Sequence, residues 1–511
     1  MALARIRPKS INMDLPPEAV GPDAWTFGKN IIMGNDSTRA AFGAQRVAGT
    51  PRVRPYWGLN LPFASPRLIY GGELTLNATD GATQANITPA AGFGSTSQGD
   101  YSGGLFNGFA LANVPQYQPC YWAGSLASVA LPFPGWAVAD RARSIRGFKY
   151  FIIAAGGTFG GVDYQRGIRW SVAAAPGAMP TSWTASPTND AGDIVLAGAR
   201  EALVDMAPIR DSMMIFESHA TWLFNYIGGA FTFSNKKLLA VAGLISANAF
   251  ASLGTDIVFC TDGDLVISDG NSVKSLLSKR MQAAVFSRLN VDARQTIWIT
   301  YSSTRKQIVM GFPTGSNLYA DTALLWNYAT DDMGLIDLAN YSHAFNGYQL
   351  STSPLDWNST TASWNSQVRV WDFGGYNSAD SNVIAVRPDF GTFGAFEVTS
   401  AQESPTDGPL EVIAQKDKML LGDNDRMKMV TRLYPKVEGP AGTELFWRMG
   451  VSRDVGEPTT WTAEKSYIIG SDFKVDVRIT GRYVAVQVRS QSPRRWGMSG
   501  FDIEYQEAGA R

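Results

Sequence analysis

The 511-residue chain carries 44 basic and 45 acidic side chains, and its formal net charge of -1 excludes a global cationic field that would attract nucleic acid or acidic membranes. The length allows two or more domains, or one large closed β architecture with an appendage. The 51 glycines, 26 prolines and 12% aromatic residues, with many short Val/Ile/Thr/Tyr/Trp runs, predict an all-β chain full of turns.

The first 50 residues are predicted to form an irregular N-terminal arm that lies over another surface. The segment is punctuated by prolines and slightly basic, and it includes LPPEAVGPDAWTFGKNI. Its stretch GPDAWTFGKN imitates a phosphate-binding loop, but six residues separate Gly21 from Gly28 where four are required. Asn30 also replaces the Ser or Thr that would coordinate magnesium. A nucleotide site is therefore not expected in the arm.

Residues 51–402 are predicted to form a β-propeller of about six or seven blades. From Arg146 onward, a loose repeat offers two to four short strands and a turn in each unit. Strands such as FIIAA, MMIF, DIVFC and QIVMGF are apolar at successive positions, which indicates that both of their faces are buried. An isolated two-layer sandwich leaves one face wet, and a parallel sheet needs crossover helices that the sequence lacks. Sheets stacked radially around a hub bury both faces.

Two long loops are predicted within the propeller, at residues 92–109 and 355–382. The first, GFGSTSQGDYSGGLFNGF, is rich in glycine and serine, and the second has the composition of an insertion. Long loops in compact domains are usually functional or mobile, so both are candidates for docking contacts or for constrictions of a lumen. The opening GFGSTSQG carries two glycines of a dinucleotide fingerprint but misplaces the third by two positions, and no helix follows.

The stretch GTDIVFCTDGDLVISDGNSV, residues 254–273, contains acids and glycines that invite comparison with a calcium loop. Counted from Asp262, position 5 is Val266 and position 12 is Val273, so two of the strongest ligands of an EF-hand are missing. Asp-Gly pairs flank the strand DLVIS and tolerate the positive φ of tight turns. The sequence therefore predicts short strands joined by turns here, and no calcium site.

Residues 403–511 are predicted to form a separate C-terminal β-sandwich, joined to the propeller by the linker SAQESPTDGP at 400–409. Charges of both signs become dense in this part of the chain. In runs such as FKVDVRITGRYVAVQVRS, apolar residues recur at every second position. This alternation is typical of half-buried antiparallel strands.

Residues with catalytic or ligand chemistry are few. Cys120 and Cys260 do not suffice for a zinc site or a disulfide framework, so both are interpreted as small buried residues in a reducing compartment. The only histidines, His219 and His343, lack metal-ligand spacing and a neighbouring G-x-S-x-G nucleophile elbow. No residue is predicted to be catalytic, cofactor-binding or metal-binding, and no cofactor is expected.

The N-terminal sequence lacks the apolar core of a signal peptide, and the chain contains no run of about 18 apolar residues. The protein is therefore expected to be soluble when made, not exported by that route and not inserted into a membrane.

Acidic and aromatic residues leave a glycan-active propeller open as an alternative. A glycosidase needs two opposed carboxylates. The candidates are Asp163, Asp205, Glu217 and Asp372. The turn WSVAAAPGAMPTSW, residues 170–183, resembles the aspartate-box turn of sialidase blades but has no acid, so it is interpreted as a turn closed by tryptophan packing. Tryptophans at strand ends fit stacking between blades, with a carbohydrate platform as the alternative. They are Trp170, Trp222, Trp298, Trp326 and Trp371.

The order of several segments resembles the tail nozzle proteins of short-tailed bacteriophages (podoviruses), which are related to head-closure or DNA-stabilisation proteins. The arm LPPEAVGPDAWTFGKNI is followed by RARSIRGFKYFIIAA, IRWSVAAAPGAMPTSW and LVDMAPIRDSMMIFESHATWLFNYIGGAFTF, then by TDIVFCTDGDLVISDG and ALLWNYATDDMGLIDL. The C-terminal run from TRLYPKVEG through GRYVAVQVRS to MSGFDIEY also matches in order. The resemblance spans nearly the whole chain, but its motifs are structural and include no catalytic signature.

This resemblance implies a structural virion protein of the tail, made in the host bacterial cytoplasm. It implies a homo-hexameric ring below the portal and adaptor proteins of the head-tail connector, with tail fibres or tip proteins alongside or below. The ring would close the head and conduct double-stranded DNA during ejection, with only transient, non-specific contact. A nearly neutral wall suits a conduit, because a wall that engaged even about 6 to 10 phosphates would bind DNA with strong salt dependence and resist sliding. No enzymatic step is expected.

Two other hypotheses remain open. One is a glycan-binding or glycan-hydrolysing propeller in the tail, which needs acids about 5 to 10 Å apart in a sugar-sized cleft. The other is a head-bound decoration protein without a channel.

Overall fold

The computed structural model describes residues 2–34, 37–41, 44–46, 51–62, 67–81, 83–229, 232–239, 242–348, 381–388, 392–396, 410–423, 426–492 and 494–510. Within these residues, helical structure is limited to α1 (Gln282–Phe286) and to 3-10 turns at Pro17–Ala19, Gln98–Asp100 and Val291–Thr296. Nearly all regular structure is antiparallel β, which confirms the predicted all-β class. No helix in the described part of the chain is long and apolar enough to cross a membrane.

Seven short strands precede the propeller. They are β1 (Ala2–Ile6), β2 (Ser10–Ile11), β3 (Ala24–Trp25), β4 (Phe27–Lys29), β5 (Ile31–Gly34), β6 (Ser37–Ala40) and β7 (Ala44–Arg46).

Seven sheets then follow along the chain and form the blades of a β-propeller. Blades 1 and 2 contain β8 (Trp57–Leu61), β9 (Arg67–Gly71), β10 (Leu76–Thr79) and β11 (Gln84–Asn86), then β12 (Ser102–Phe106), β13 (Phe109–Asn113), β14 (Cys120–Trp122) and β15 (Leu131–Pro132). Blade 3 contains β16 (Arg141–Phe148), β17 (Phe151–Phe159), the extra strand β18 (Val162–Asp163), β19 (Gly167–Trp170) and β20 (Gly192–Val195). Blade 4 contains β21 (Leu203–Ile209), β22 (Ser212–Glu217), β23 (Thr221–Tyr226) and β24 (Phe233–Leu239).

The remaining three blades complete the ring. Blade 5 contains β25 (Phe250–Ser252), β26 (Ile257–Cys260), β27 (Leu265–Ser268) and β28 (Val273–Ser275). Blade 6 contains β29 (Trp298–Ser302), β30 (Gln307–Phe312), β31 (Ala320–Asn327) and β32 (Asp332–Tyr341). Blade 7 contains β33 (His343–Tyr348), β34 (Ser381–Arg387) and β35 (Thr392–Phe396), and its fourth strand is β7 from the N-terminal region.

From β12 to β33, the inner strand of each blade contacts that of the next blade. Strand β8 of blade 1 contacts β13 of blade 2 and β33 of blade 7, so the ring is closed. Because β7 precedes blade 1 in the chain and pairs with β35 of blade 7, the two ends of the propeller sequence are joined in one sheet. The propeller therefore has seven blades, which agrees with the prediction of six or seven.

The strands that were predicted to be buried on both faces are buried on both faces. Residues 151–155 of β17, 213–216 of β22 and 257–260 of β26 are each at most 1% exposed. Neighbouring blades cover these strands on each side, and every fully buried large apolar side chain contributes about 1.5–3 kcal/mol. The hairpin of β26 and β27 pairs Ile257 with Ser268 and Cys260 with Leu265, which confirms the predicted turn structure of this stretch.

The predicted long loop at 92–109 is wrong for most of its length. Residues 98–100 form a 3-10 turn, and residues 102–106 form β12, the inner strand of blade 2. Glycine suggested a loop, but Gly103 is required by close approach, since a Cβ there would lie 2.2 Å from the Leu111 carbonyl oxygen of the paired strand. Of the other predicted loop, residues 355–380 lie outside the described residues, and 381–382 begin β34.

The C-terminal strands are β36 (Val412–Leu420), β37 (Arg426–Glu438), β38 (Glu444–Ser452), β39 (Thr460–Trp461), β40 (Lys465–Ile468), β41 (Val475–Gly481), β42 (Tyr483–Ser490) and β43 (Gly497–Ala510). One sheet has the order β41-β37-β43-β6-β5, with β1 also on β43. The other has the order β39-β38-β42-β36-β4, with β40 also on β38. Trp447 of the second sheet packs against Phe501 of the first, with ring centroids 6.0 Å apart, so the two sheets face each other. The predicted linker at 400–409 lies outside the described residues.

The segment predicted as an irregular arm is built into both units. Strands β1, β4, β5 and β6 complete the two sandwich sheets, and β7 completes blade 7. Each of these strands has only three to five residues, too few for the period of two to stand out in the sequence. Apart from the pairing of β5 with β6, their pairing partners lie hundreds of residues away, so local sequence does not reveal them.

Two polar contacts hold the N-terminal segment in place. Asn30, at φ 55°, accepts from the Asp337 backbone N–H at 2.6 Å and donates through its amide to the Glu411 carbonyl oxygen at 2.8 Å, so it joins blade 6 to the sandwich. Lys416 donates through Nζ to the carbonyl oxygens of Val20 and Gly21 at 2.8 and 2.6 Å. Burial lowers the pKa of Lys416 to about 8.

Candidate functional site at the centre of the propeller

The inner strands of the blades surround a cavity of about 910 Å³. It is lined from β8, β12, β16, β25, β29 and β33, so it lies at the hub of the propeller. Strands β8 and β33 each contribute four consecutive residues to the lining, from Trp57 to Asn60 and from His343 to Asn346. The volume is within the range of about 300–1,000 Å³ that is typical of small-molecule sites.

One side of the hub is closed by a buried charge network. Arg146 of β16 forms a bidentate contact with Asp205 of β21, with Nε–Oδ1 and Nη2–Oδ2 distances of 3.0 and 2.5 Å. Arg146 also donates to the Asn248 side-chain oxygen at 2.9 Å and to the Gly103 carbonyl oxygen. The Ser144 hydroxyl and the Asn248 backbone N–H donate to Asp205. Four blades supply the groups of this network. The carboxylate of Asp205 neutralises the charge of Arg146 within the hub.

The opposite side of the hub has buried polar side chains, two of which have side-chain atoms without a partner among the described residues. Asn60 of β8, Thr300 of β29 and His343 of β33 line the cavity and are at most 7% exposed. The Asn60 side-chain oxygen is buried without a hydrogen bond, and the Thr300 hydroxyl has no partner among the described residues. These three residues belong to the adjacent blades 1, 6 and 7. A buried polar group without a partner is costly, so this arrangement favours a ligand or water in the cavity.

His343 is held neutral. Its Nδ1 accepts from the Gly58 backbone N–H at 3.3 Å, and its ring packs against Trp57 and Phe345, with centroids 6.1 and 6.2 Å away. Burial and, to a smaller extent, the charge of Arg146 lower the pKa of His343 to about 3. With Nδ1 acting as acceptor, the proton of the neutral ring is on Nε2.

This burial predicts a pH-dependent stability. The unfolded state binds a proton at His343 near pH 6.5 and the folded state only near pH 3, so the free energy of unfolding falls as the pH is lowered between these values. At pH 4.5 we expect His343 to cost the folded protein about 2–3 kcal/mol relative to pH 7. Urea unfolding at both pH values measures the change, and His343→Gln, which does not titrate, should show a correspondingly smaller loss. An equal loss in both proteins would contradict the assignment.

The predicted acid candidates do not meet in the cavity. Asp163 is exposed on β18, and Asp372 lies outside the described residues. Asp205 is occupied by Arg146, and the buried Glu217 accepts from the backbone N–H of Arg200 at 3.0 Å and from the Trp222 indole. Among the described residues that line the cavity, Asp256 is the only carboxylate, so they form no glycosidase pair. The described residues also contain no cluster of three potential metal ligands.

The other histidine, the two cysteines and the tryptophan of the predicted turn all make structural contacts. His219 is exposed and pairs with Glu201 at 3.0 Å, which raises the pKa of the histidine. Cys120 and Cys260 are buried free thiols, as interpreted from the sequence, and burial raises the pKa of both. Trp183, at the end of the WSVAAAPGAMPTSW turn, packs against Trp136 and Phe133, which confirms a turn closed by tryptophan packing.

The predicted strand-end tryptophans pack inside or between blades where the structure describes them. Trp170 lies 5.8 Å from Phe224 of blade 4, and Trp298 is fully buried in blade 6. Trp222 and Trp326 donate their indole N–H groups to Glu217 and Asp331. Trp371 lies outside the described residues. None of the four described tryptophans lines the hub cavity.

Sequence reasoning missed the residues of the hub. Arg146 carried a signal, because it is a charged residue in a strand that is otherwise apolar, and such residues are buried only with partners. Asn60, Asn248 and Thr300 carried none, since each lies in an ordinary strand or turn and becomes notable only when distant blades meet.

A second cavity, of about 700 Å³, lies in the cleft between blade 6 and the sandwich. Arg39, Arg305 and Arg495 line it together with Glu438. Burial lowers the pKa of Arg305 to about 10, and the charge of Arg495 contributes. The electrostatics of this cleft therefore favour anions over cations.

Blade 2 has an uncharged outer surface. Residues 101–139 contain no Asp, Glu, Lys, Arg or His. Large apolar side chains are nevertheless exposed there, namely Val129, Leu131 and Val138, which are 49 to 77% exposed. Depletion of charge together with exposed apolar groups is typical of a surface that contacts another protein.

No family model matches the chain, and no curated protein matches it. Solved structures match the chain with low identity, and three of them are named below. The computationally designed Ika8 protein has 12% identity over 76% of this chain and 99% of that one, with a TM-score of 0.38. The WD40 β-propeller domain of Doa1 has 9% identity over 72% and 98%, with a TM-score of 0.41. A fungal alcohol oxidase of the AA5 family, in complex with copper, has 11% identity over 91% and 99%, with a TM-score of 0.44. The strand pairing of the chain itself defines it as a seven-bladed β-propeller joined to a β-sandwich.

Proposed function

We propose that this chain is the tail nozzle protein of a short-tailed bacteriophage. Six copies form a ring below the portal and adaptor proteins, close the head and conduct DNA during ejection, with tail fibres or tip proteins alongside or below. The protein is made in the host cytoplasm and resides in the virion tail. The order of sequence segments described above motivates this proposal, and the propeller and sandwich are compatible with it.

The observation that carries the proposal is the uncharged outer surface of blade 2. A protein that remained monomeric would not gain from exposing Leu131 and Val138 in a stretch of 39 residues without a charge. A second copy is the partner that a ring requires, and closed rings use one surface repeatedly. We expect the subunit contact to bury on the order of 2,000 Å² or more, as obligate interfaces do.

The hub of each propeller is unsuited to passing DNA. The Arg146–Asp205 pair and its partners occupy one side, and the cavity beside them has the volume of a small-molecule site. The channel is therefore assigned to the centre of the ring, between subunits. The balanced net charge of -1 suits such a wall, because the 44 basic side chains are matched by 45 acidic ones and leave no net positive charge to hold phosphates.

The proposed role is passive and includes no chemical step. The described residues of the hub provide one carboxylate besides the paired Asp205, and that is insufficient for the two-acid chemistry of glycoside hydrolysis.

Replacing Leu131 and Val138 together by aspartate is expected to prevent ring formation. Burying two carboxylates without partners in an interface costs several kcal/mol, so the association constant should fall by about 100-fold or more. Native mass spectrometry of the full chain, alone and with its portal and adaptor proteins, measures the oligomer. The matched control is Phe473→Asp in the sandwich, at an apolar residue that is 71% exposed, and it should assemble as the wild type does.

Electron cryomicroscopy of purified particles tests the location. We expect six copies below the adaptor, with the blade 2 surface between neighbouring subunits. Absence of the chain from the tail, or a ring in which blade 2 faces solvent, would contradict the proposal.

A further inference from the structure

We propose that the hub cavity of the propeller binds a neutral saccharide. The inference is independent of the proposed nozzle function, because it depends only on the residues around the cavity. It follows from three properties of the described lining. Several polar groups lack hydrogen-bond partners among the described residues, aromatic rings line the cavity, and the cation of the lining, Arg146, is already paired with Asp205.

The polar groups provide the hydrogen bonds that sugar hydroxyls require. Asn60, Thr300 and His343 present an amide, a hydroxyl and a neutral imidazole on adjacent blades. The hydroxyls of Tyr301 and Ser303 line the same side and have no partners among the described residues. A sugar hydroxyl both donates and accepts, so it pairs equally with an amide, an imidazole N–H or another hydroxyl. Mixed donors and acceptors at short spacing are suited to a polyhydroxylated ligand.

Aromatic rings provide the apolar surface that the C–H faces of a sugar need. Trp57 and Phe345 line the hub, and Phe250, Tyr301 and Tyr328 line the part of the cavity near blades 5 and 6. Trp57 is fixed by stacking on Tyr101, with centroids 5.6 Å apart and planes 6° from parallel. Tyr301 and Tyr328 lie close enough for the Tyr301 hydroxyl to raise the pKa of Tyr328, after the larger effect of burial. A rigid aromatic platform beside fixed polar groups is typical of a site with one preferred ligand orientation.

The charges of the lining exclude an anionic ligand. The only cation on the described lining is Arg146, and both of its terminal nitrogens and Nε are engaged by Asp205, Asn248 and Gly103. The remaining charged residue is Asp256, which repels phosphates and carboxylates. A nucleotide or an acidic sugar would therefore bring an uncompensated negative charge into the hub. The neutral state of His343 adds no attraction for anions.

Saturation-transfer-difference NMR on the full chain tests this inference, with glucose, galactose, N-acetylglucosamine and maltotetraose as probes and adenosine monophosphate as the anionic comparison. We expect at least one neutral saccharide to bind below about 10 mM and the nucleotide not to bind. Thr300→Val keeps the shape of the side chain and removes the hydroxyl, so it should weaken binding about fivefold. Tyr301→Ala, which removes part of the aromatic surface, should weaken it about tenfold.

The matched control is Thr322→Val on β31 of the same blade, which makes the same chemical change outside the cavity and should bind as the wild type does. Thermal unfolding verifies that each variant is folded. The inference is overturned if no neutral probe binds, if adenosine monophosphate binds instead, or if Thr300→Val and Thr322→Val change the affinity equally.

Discussion

Replacing Trp25 by alanine is expected to lower the free energy of unfolding by about 3–5 kcal/mol, the usual cost of removing a large aromatic side chain from a core. Trp25 is fully buried between the two sandwich sheets. Its indole N–H donates to the Thr38 hydroxyl at 2.8 Å, and its ring lies 5.9 Å from that of Phe501. The substitution therefore removes apolar contacts and leaves the Thr38 hydroxyl without this donor.

This substitution distinguishes an integral N-terminal segment from an arm that lies on the surface. If residues 2–40 complete the sandwich, the loss appears in the isolated chain and is measured by urea unfolding. Leu15→Ala is the control, because Leu15 belongs to the same segment and is 38% exposed, and it should change the stability by less than about 0.5 kcal/mol. Equal small effects of both substitutions would show that the segment contributes little to the fold.

Replacing Asp205 by alanine is expected to destabilise the propeller by about 3–5 kcal/mol, as is usual when one partner of a buried ion pair is removed. The Asp205 side chain is fully buried and that of Arg146 is 13% exposed. Without the carboxylate, the guanidinium remains in the hub with only neutral acceptors, and the Ser144 hydroxyl and Asn248 backbone N–H lose their partner. Chemical unfolding monitored by tryptophan fluorescence measures the loss.

A double substitution separates the ion pair from the space that it fills. Arg146→Met with Asp205→Leu removes both charges and keeps much of the volume, so it should be less destabilising than Asp205→Ala alone. Asp163→Ala, on the exposed strand β18, is the control and should be nearly neutral. A double variant as unstable as the sum of its single variants would show that the charges do not act as a pair.

The strands of the blades were predictable because burial on both faces leaves a signal within the strand itself. FIIAA of β17 and DIVFC of the β26 region are apolar at successive positions, and no neighbour needs to be known to see it. The alternation in β41 and β42 predicted the sandwich for the same reason. The Asp-Gly pairs around β27 predicted its turns, because the positive φ they permit is a local property.

Two predictions were wrong, the loop at residues 92–109 and the irregular N-terminal arm, because the local sequence of these segments does not indicate the strands that they form. Gly103 and Gly104 made residues 92–109 look like a loop, whereas Gly103 allows β12 to approach the paired strand β13 closely. The N-terminal strands escaped notice because each is short and several pair with strands hundreds of residues later, such as β1 with β43 and β7 with β35.

The sequence by itself determined the all-β class, the buried inner strands, the turns and the alternating strands of the sandwich, because these depend on the spacing of apolar residues and on local backbone preference. The tertiary structure decided the number of blades, the closure of blade 7 by β7 and the meeting of Asn60, Thr300 and His343 at the hub. These features depend on contacts between distant parts of the chain, such as that of Ala44 with Phe396, 352 positions later, and the free energy of such contacts exists only when the whole ring has closed.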